Sequence, residues 1–151
     1  MQTDMTTRQF IDALIIKMKY YVNPSCSVYD QGRARGWLEE MDVLYLDRAI
    51  ERRNAARIIH EFLRIECGVT NIRDWTNAKK LRDLYDCKVC AGHIAQMVES
   101  GIMPPLEPTR FKLLSHVNAE ESEEILERAW SYAKSVKCSD EEADCDIIMK
   151  V

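Results

Sequence analysis

The chain has 151 residues, 46% of them hydrophobic and 30% charged, with a formal net charge of −4. That is enough chain for one domain with a real core, and the composition is that of an ordinary globular protein. The negative balance argues against nucleic acid or an anionic membrane surface as partner, and no stretch reaches the roughly 18 apolar residues of a membrane span.

The first predicted helix covers residues 7–21. Phe10, Ala13, Leu14, Met18 and Tyr21 fall on one face at helical spacing. Thr6 and Gln9 fit a capping box, in which the hydroxyl takes an orphan N–H and the amide reaches back. Asn23-Pro24-Ser25 then stops the helix in a loop. A short helix over residues 31–41 would bury Ala34, Trp37, Leu38 and Met41. A longer one over residues 47–66 carries the stripe Ala55, Ile58, Ile59, Phe62 and Leu63, and Gly68 is placed to end it in a left-handed turn. Residues 71–75 read as a polar connector, followed by a weak helix over 75–85.

The next helix, over residues 90–100, buries Ile94, Met97 and Val98, and Gly101 caps it. Pro104-Pro105-Leu106-Glu107-Pro108 is a stiff extended turn. The last long helix covers residues 119–137. Asn118 caps it with Glu121 at N3, and Ile125, Ala129, Tyr132 and Val136 form its inner stripe. The expected fold is therefore all-α, as one domain over residues 1–138 with an acidic, loosely ordered tail over 139–151. A charge on an inner stripe, as in Ile58→Asp or Ile94→Asp, is expected to unfold it.

Charge is uneven along the chain. Residues 48–88 are rich in Arg and Lys, and residues 120–146 are mostly acidic. Two solvated faces would explain this, as would an intramolecular or dimeric contact between them. The N-terminal residues lack the basic segment and apolar core of a signal peptide. With six cysteines and no export signal, reduced thiols in a cytoplasmic protein are the expectation. A missing export signal or a larger chain would move it to the cell surface.

A pattern recurs along the chain. Val28-Tyr29-Asp30 leads through Trp37 to Leu44, and then to Ile50-Glu51-Arg52-Arg53-Asn54-Ala55-Ala56-Arg57-Ile58-Ile59. Leu84-Tyr85-Asp86 leads through Ile94-Ala95-Gln96 and Gly101-Ile102, and then to Val117 and the helix from Ala119. Thr6-Thr7-Arg8-Gln9-Phe10 looks like the long helix of a further unit. A repeated short helix, turn and long helix must bury its apolar face against a neighbour.

These units resemble the S-layer homology family, over about two and a half repeats. The resemblance implies SLH-like helical repeats packed into one domain. It also implies a bacterial, non-enzymatic binding module with its ligand in a groove between units, an acidic cell-wall polysaccharide. The family uses an arginine at the start of the long helix for that ligand. Its positions here are Thr7, Arg52 and Ala119, so Arg52 is the candidate ligand-binding residue, able to pair with a carboxylate. On this reading Arg52→Ala leaves stability nearly intact and abolishes glycan binding. The other reading is an intracellular protein–protein adaptor, or a homo-oligomer, that keeps the fold without the glycan site.

Cys87-Lys88-Val89-Cys90 with His93 is the sharpest local constellation. Two thiolates and an imidazole could supply three zinc ligands, with Cys138 or Cys145 as a fourth. A redox pair, or two thiols packed at a helix start, would give the same pattern. The other histidines, His60 and His116, lie among apolar neighbours with no triad partners, so no catalytic residue is expected. Trp37, Trp75 and Trp130 read as core or packing residues, with Trp75 the best candidate for exposure.

Overall fold

The computed structural model describes residues 3–140, with side chains described to residue 136. Six α-helices follow one another: α1 (Thr7–Met18), α2 (Val28–Arg35), α3 (Glu40–Leu44), α4 (Arg52–Glu66), α5 (Lys88–Ser100) and α6 (Ala119–Asp140). The fold is all-α. The loose tail expected over 139–151 lies outside the described residues, save that α6 runs on to Asp140.

The three helices that begin at Thr7, Arg52 and Ala119 start in the same way. Each is preceded by a short extended lead-in, and the three lead-ins hold one another in a closed ring of backbone hydrogen bonds. Met5 N–H donates to the Val117 carbonyl (2.8 Å), Val117 N–H to that of Ile50 (3.1 Å), and Ile50 N–H to that of Met5 (2.9 Å). Met5, Ile50 and Val117 each stand two residues before the first helical residue. Ile50 and Val117 are buried and Met5 packs against the core, which stabilises the ring by about 1.5–3 kcal/mol for each fully buried side chain.

The ring also solves a helix-end problem. The first N–H groups of a helix have no partner inside it. Thr7 N–H donates to the Arg48 carbonyl (3.0 Å) and Arg8 N–H to that of Leu46 (2.8 Å). Arg52 N–H donates to Ser115 (2.8 Å) and Arg53 N–H to Leu113 (2.9 Å). In both pairs the acceptors stand four and six residues before the next long helix, so α1 and α4 use the following lead-in identically. Side chains finish the job. Thr6 and Gln9 form the expected capping box at α1, and Asn118 Oδ1 accepts from Glu121 N–H (2.8 Å) at α6.

The core lies where α4 packs on α5 and α1 on α6. Ala55, Ile58, Ile59, Phe62 and Leu63 of α4 are all buried, as are Ile94 and Met97 of α5, while Val98 is half-buried. On α6 Ile125 and Ala129 are buried; Tyr132 and Val136 are only half-buried.

Four expectations change, each for a local reason. The first helix stops at Met18, where Lys19 takes a left-handed conformation, so Tyr21 lies beyond it and is exposed. The helix expected over 31–41 is split into α2 and α3 by Gly36, whose φ of 98° ends α2. Ala34 and Met41 are consequently exposed. Trp37 and Leu38 are buried in the link between the two helices. Trp37 Nε1 donates to Glu66 (3.0 Å), and Arg35 and Tyr20 bind the same carboxylate, which ties this link to the end of α4.

The helix expected from residue 47 begins at Arg52, because residues 49–51 are spent on bridges to Thr6 and His116. The weak helix over 75–85 is instead two 3-10 turns, Ala78–Lys80 and Leu84–Asp86. Side chains there bind backbone in place of a helical ladder. Glu99 accepts from Ala78 N–H (2.7 Å), and Asp83 accepts from Phe111 and Lys112 N–H (both 2.8 Å). Trp75 in this segment is half-buried and packed against the core.

Candidate functional site

Three grooves open around the ring, each beside the first residue of one long helix. They differ in chemistry because the residues at those positions differ.

The groove at Arg52 has 440 Å³ of space and is bounded by Pro104, Leu106, His116, Glu121 and Arg128. Arg52 itself is only 1% exposed. Its Nε donates to the Phe111 carbonyl (3.0 Å) and one terminal nitrogen to that of Pro104 (2.9 Å). The other terminal nitrogen pairs with Glu121 of α6, and the guanidinium carbon lies 4.3 Å from the centre of the Phe111 ring. Burial lowers the Arg52 pKa from its ordinary value, and the Glu121 charge acts against that. The carboxylate that the sequence reading assigns to a ligand is therefore supplied by the chain itself. Arg52 is a buried cross-brace between α4 and α6.

The groove at Thr7 has 670 Å³ and is polar, lined by Glu39, Tyr45, Arg48, Arg53 and Arg57 among others. Arg57 grips Asp42 through both terminal nitrogens (2.8 and 2.6 Å), and Arg53 pairs with Glu51 (2.9 Å). Arg48 is exposed and lies 3.8 Å over the Tyr45 ring, a cation–π contact.

The groove at Ala119 has 830 Å³, the roomiest of the three, and lies between α1 and the first half of α6. Met5, Ala13, Ile16 and Leu126 give it an apolar surface. Lys17, Glu123, Glu124, Glu127 and Arg128 make its rim. Lys17 bridges across it to Glu127. Ile16 is 77% exposed, although it stands on a helix whose other face is core.

The sequence-predicted metal residues do not meet as expected. Cys87 and Cys90 are joined in a disulfide, so their sulfurs are bonded to each other and are not thiolates free for zinc. This also differs from the expectation of reduced thiols. Cys138 and Cys145 lie outside the residues whose side chains are described. His93 meets a different partner, His60 of α4, with the two Nδ1 atoms 2.7 Å apart. His60 Nε2 lies 2.7 Å from Asn71 Oδ1. Since an amide oxygen only accepts, Nε2 carries the His60 proton, and its Nδ1 accepts from His93 Nδ1–H.

Glu61 completes the cluster, one oxygen 3.7 Å from His60 Nδ1. Arg64 holds that carboxylate at 3.2 and 2.7 Å and keeps its pKa below the usual range. Burial, reinforced by the nearby His60, pushes the His93 pKa down to about 4, so His93 is neutral near pH 7.

Sequence reading missed the His60–His93 pair because 33 residues separate its members. The available signal was that each histidine adjoins a buried stripe, His60 after Ile59 and His93 before Ile94. The Ile16 groove was signalled too, by an isoleucine off the Phe10–Leu14–Met18 face of α1.

The chain matches no protein-family model, no curated protein and no solved structure.

Proposed function

We propose that the protein is a non-enzymatic interaction module whose groove between α1 and α6 receives an amphipathic helix of a protein partner. The observation that carries this reading is Ile16, 77% exposed on an apolar groove surface. A branched aliphatic side chain in that position gains by being covered, at roughly 25 cal/mol per Å² of apolar area. Helix-in-groove recognition uses such a strip, with anchors spaced along one face of the incoming helix.

The rim favours a basic partner. Glu123, Glu124 and Glu127 stand against Lys17 and Arg128, and Lys17 is already paired with Glu127. An apolar stripe flanked by Lys or Arg is complementary to this surface. The chain's own net charge of −4 works in the same direction. No helix among the described residues is long and apolar enough to cross a membrane.

The test is binding of a fluorescent Leu/Lys amphipathic helical peptide to wild type and to Ile16→Asp. Binding by wild type that falls at least tenfold in the variant supports the reading. Equal binding by both would overturn it. Concentration-dependent self-association lost in Ile16→Asp would instead make a second copy the occupant.

A second reading attaches to the groove at Thr7, where Arg48 over Tyr45 offers an exposed guanidinium beside an aromatic ring. That pairing suits an acidic sugar, whose carboxylate would meet the cation. Its test is retention on cell-wall sacculi with their acidic polymers, compared between wild type and Arg48→Ala.

A further inference from the structure

We propose that His60, Glu61 and His93 form a site for one divalent transition-metal ion of the zinc type, with His60 and Glu61 supplied by α4 and His93 by α5. One donor atom from each residue lies within 4.8 Å of the other two. A zinc ion about 2.0–2.1 Å from each of two imidazole nitrogens holds them roughly 3.3 Å apart in tetrahedral geometry. The two Nδ1 atoms are 2.7 Å apart, so the rings need separate by only about half an ångström. Glu61 Oε1, at 3.7 Å from His60 Nδ1, is already at the spacing of a third ligand. Two histidines and a carboxylate are a recurrent three-ligand zinc set, which leaves one position open.

The surroundings orient these ligands as such sites require. Asn71 accepts the proton on His60 Nε2 (2.7 Å), which turns the lone pair on Nδ1 toward the centre. Arg64 donates to both oxygens of the Glu61 carboxylate, Nε to Oε1 (3.2 Å) and a terminal nitrogen to Oε2 (2.7 Å), and so fixes its orientation. Second partners of this kind raise affinity by fixing tautomer and ring angle. The site is half-buried, with the His60 and Glu61 side chains 13% and 20% exposed, so an ion can enter and still shed most of its water. On binding, the proton between the rings moves to His93 Nε2, and both Nδ1 lone pairs face the metal. Nothing in the arrangement depends on Cys87 or Cys90.

The test uses the full chain without an affinity tag, stripped with a chelator and titrated with zinc chloride by calorimetry. Four proteins are compared: wild type, His60→Gln, Glu61→Gln and the double variant Cys87→Ser/Cys90→Ser. Cobalt(II) spectra report the ligand set independently, because tetrahedral cobalt absorbs visible light strongly. The proposal predicts one zinc per chain in wild type and in the cysteine double variant. It predicts a loss of at least tenfold in affinity in Glu61→Gln, and no stoichiometric binding in His60→Gln. Should His60→Gln fail to fold, histidine ring resonances of wild type that shift with zinc at His60 and His93 serve in its place. No stoichiometric zinc in wild type, or binding abolished only by the cysteine substitutions, would overturn the proposal.

Discussion

The guanidinium of Arg52 at the start of α4 is closed off by the carboxylate of Glu121 in the first turn of α6. One residue comes from the Arg-rich stretch of the chain and the other from the acidic stretch, so part of that charge asymmetry is an internal contact. Removing one member of a buried pair leaves the other uncompensated, at a cost of about 3–5 kcal/mol. Glu121 keeps some access to water, 19% against 1% for Arg52, which places Arg52→Ala near the lower end. Glu121→Gln should cost as much, because it strands a buried cation. Urea unfolding of both variants checks this. A loss under about 1 kcal/mol in Arg52→Ala would return Arg52 to the role of an idle, ligand-ready side chain.

Ile58 and Ile94 are both 0% exposed, on the two helices that carry the histidine pair. Aspartate at either site buries an ion without a partner. Both variants should lack a cooperative thermal transition in circular dichroism. A wild-type melting curve in either would contradict the packing of α4 on α5.

Gly32 of α2 is buried beneath the Trp37–Leu38 link. A methyl group there would lie 2.6 Å from Leu38 Cδ1 and 3.0 Å from Trp37 Cζ2. Alanine is the better helix former by about 1 kcal/mol, whereas overpacking costs about 1–3 kcal/mol. Gly32→Ala should therefore destabilise the fold in denaturant titration. A gain in stability would mean that the link is looser than described.

The depressed pKa of His93 makes a pH prediction for protein stripped of metal. The folded value is about 4 and the unfolded value about 6.5, so the unfolded chain binds more protons between them. Stability from this group is complete above about pH 6.5, declines as pH falls toward 4, and levels off below. The full shift corresponds to about 3 kcal/mol, and solvent access reduces that to about 2 kcal/mol. The charges of His60, Arg57 and Arg64 add to the effect of burial, and that of Glu61 opposes it. His93→Gln should flatten the difference in unfolding free energy between pH 7 and pH 4.5 relative to wild type. Parallel curves would remove the histidine pair as the cause.

Local order was legible in the sequence wherever one helix decides it. The stripe of α4, the capping residues Thr6, Gln9 and Asn118, and the glycines at 68 and 101 all act within a few residues of themselves. The starts at Thr7 and Ala119 were legible too, while that of α4 was placed at residue 47, five residues before Arg52. What joins those starts was not legible, because backbone hydrogen bonds among Met5, Ile50 and Val117 leave no mark on side-chain identity beyond an apolar residue in each. Helix 31–41 failed at Gly36, a residue whose left-handed turn outweighs periodicity. The pairing of Arg52 was not legible, because its type and register fit ligand binding while Glu121 lies 69 residues away. The histidine pair failed for the same reason of distance along the chain.

The groove between α1 and α6 is proposed to receive a partner helix. The most direct measurement is an NMR titration of nitrogen-15-labelled protein with the Leu/Lys amphipathic peptide. Shifts should concentrate at Ala13, Ile16, Lys17, Ser122 and Leu126 and be lost in Ile16→Asp, whose own stability should stay within about 0.5 kcal/mol of wild type. No shifts at saturating peptide, or shifts centred on the Arg48 groove that survive Ile16→Asp, would contradict it.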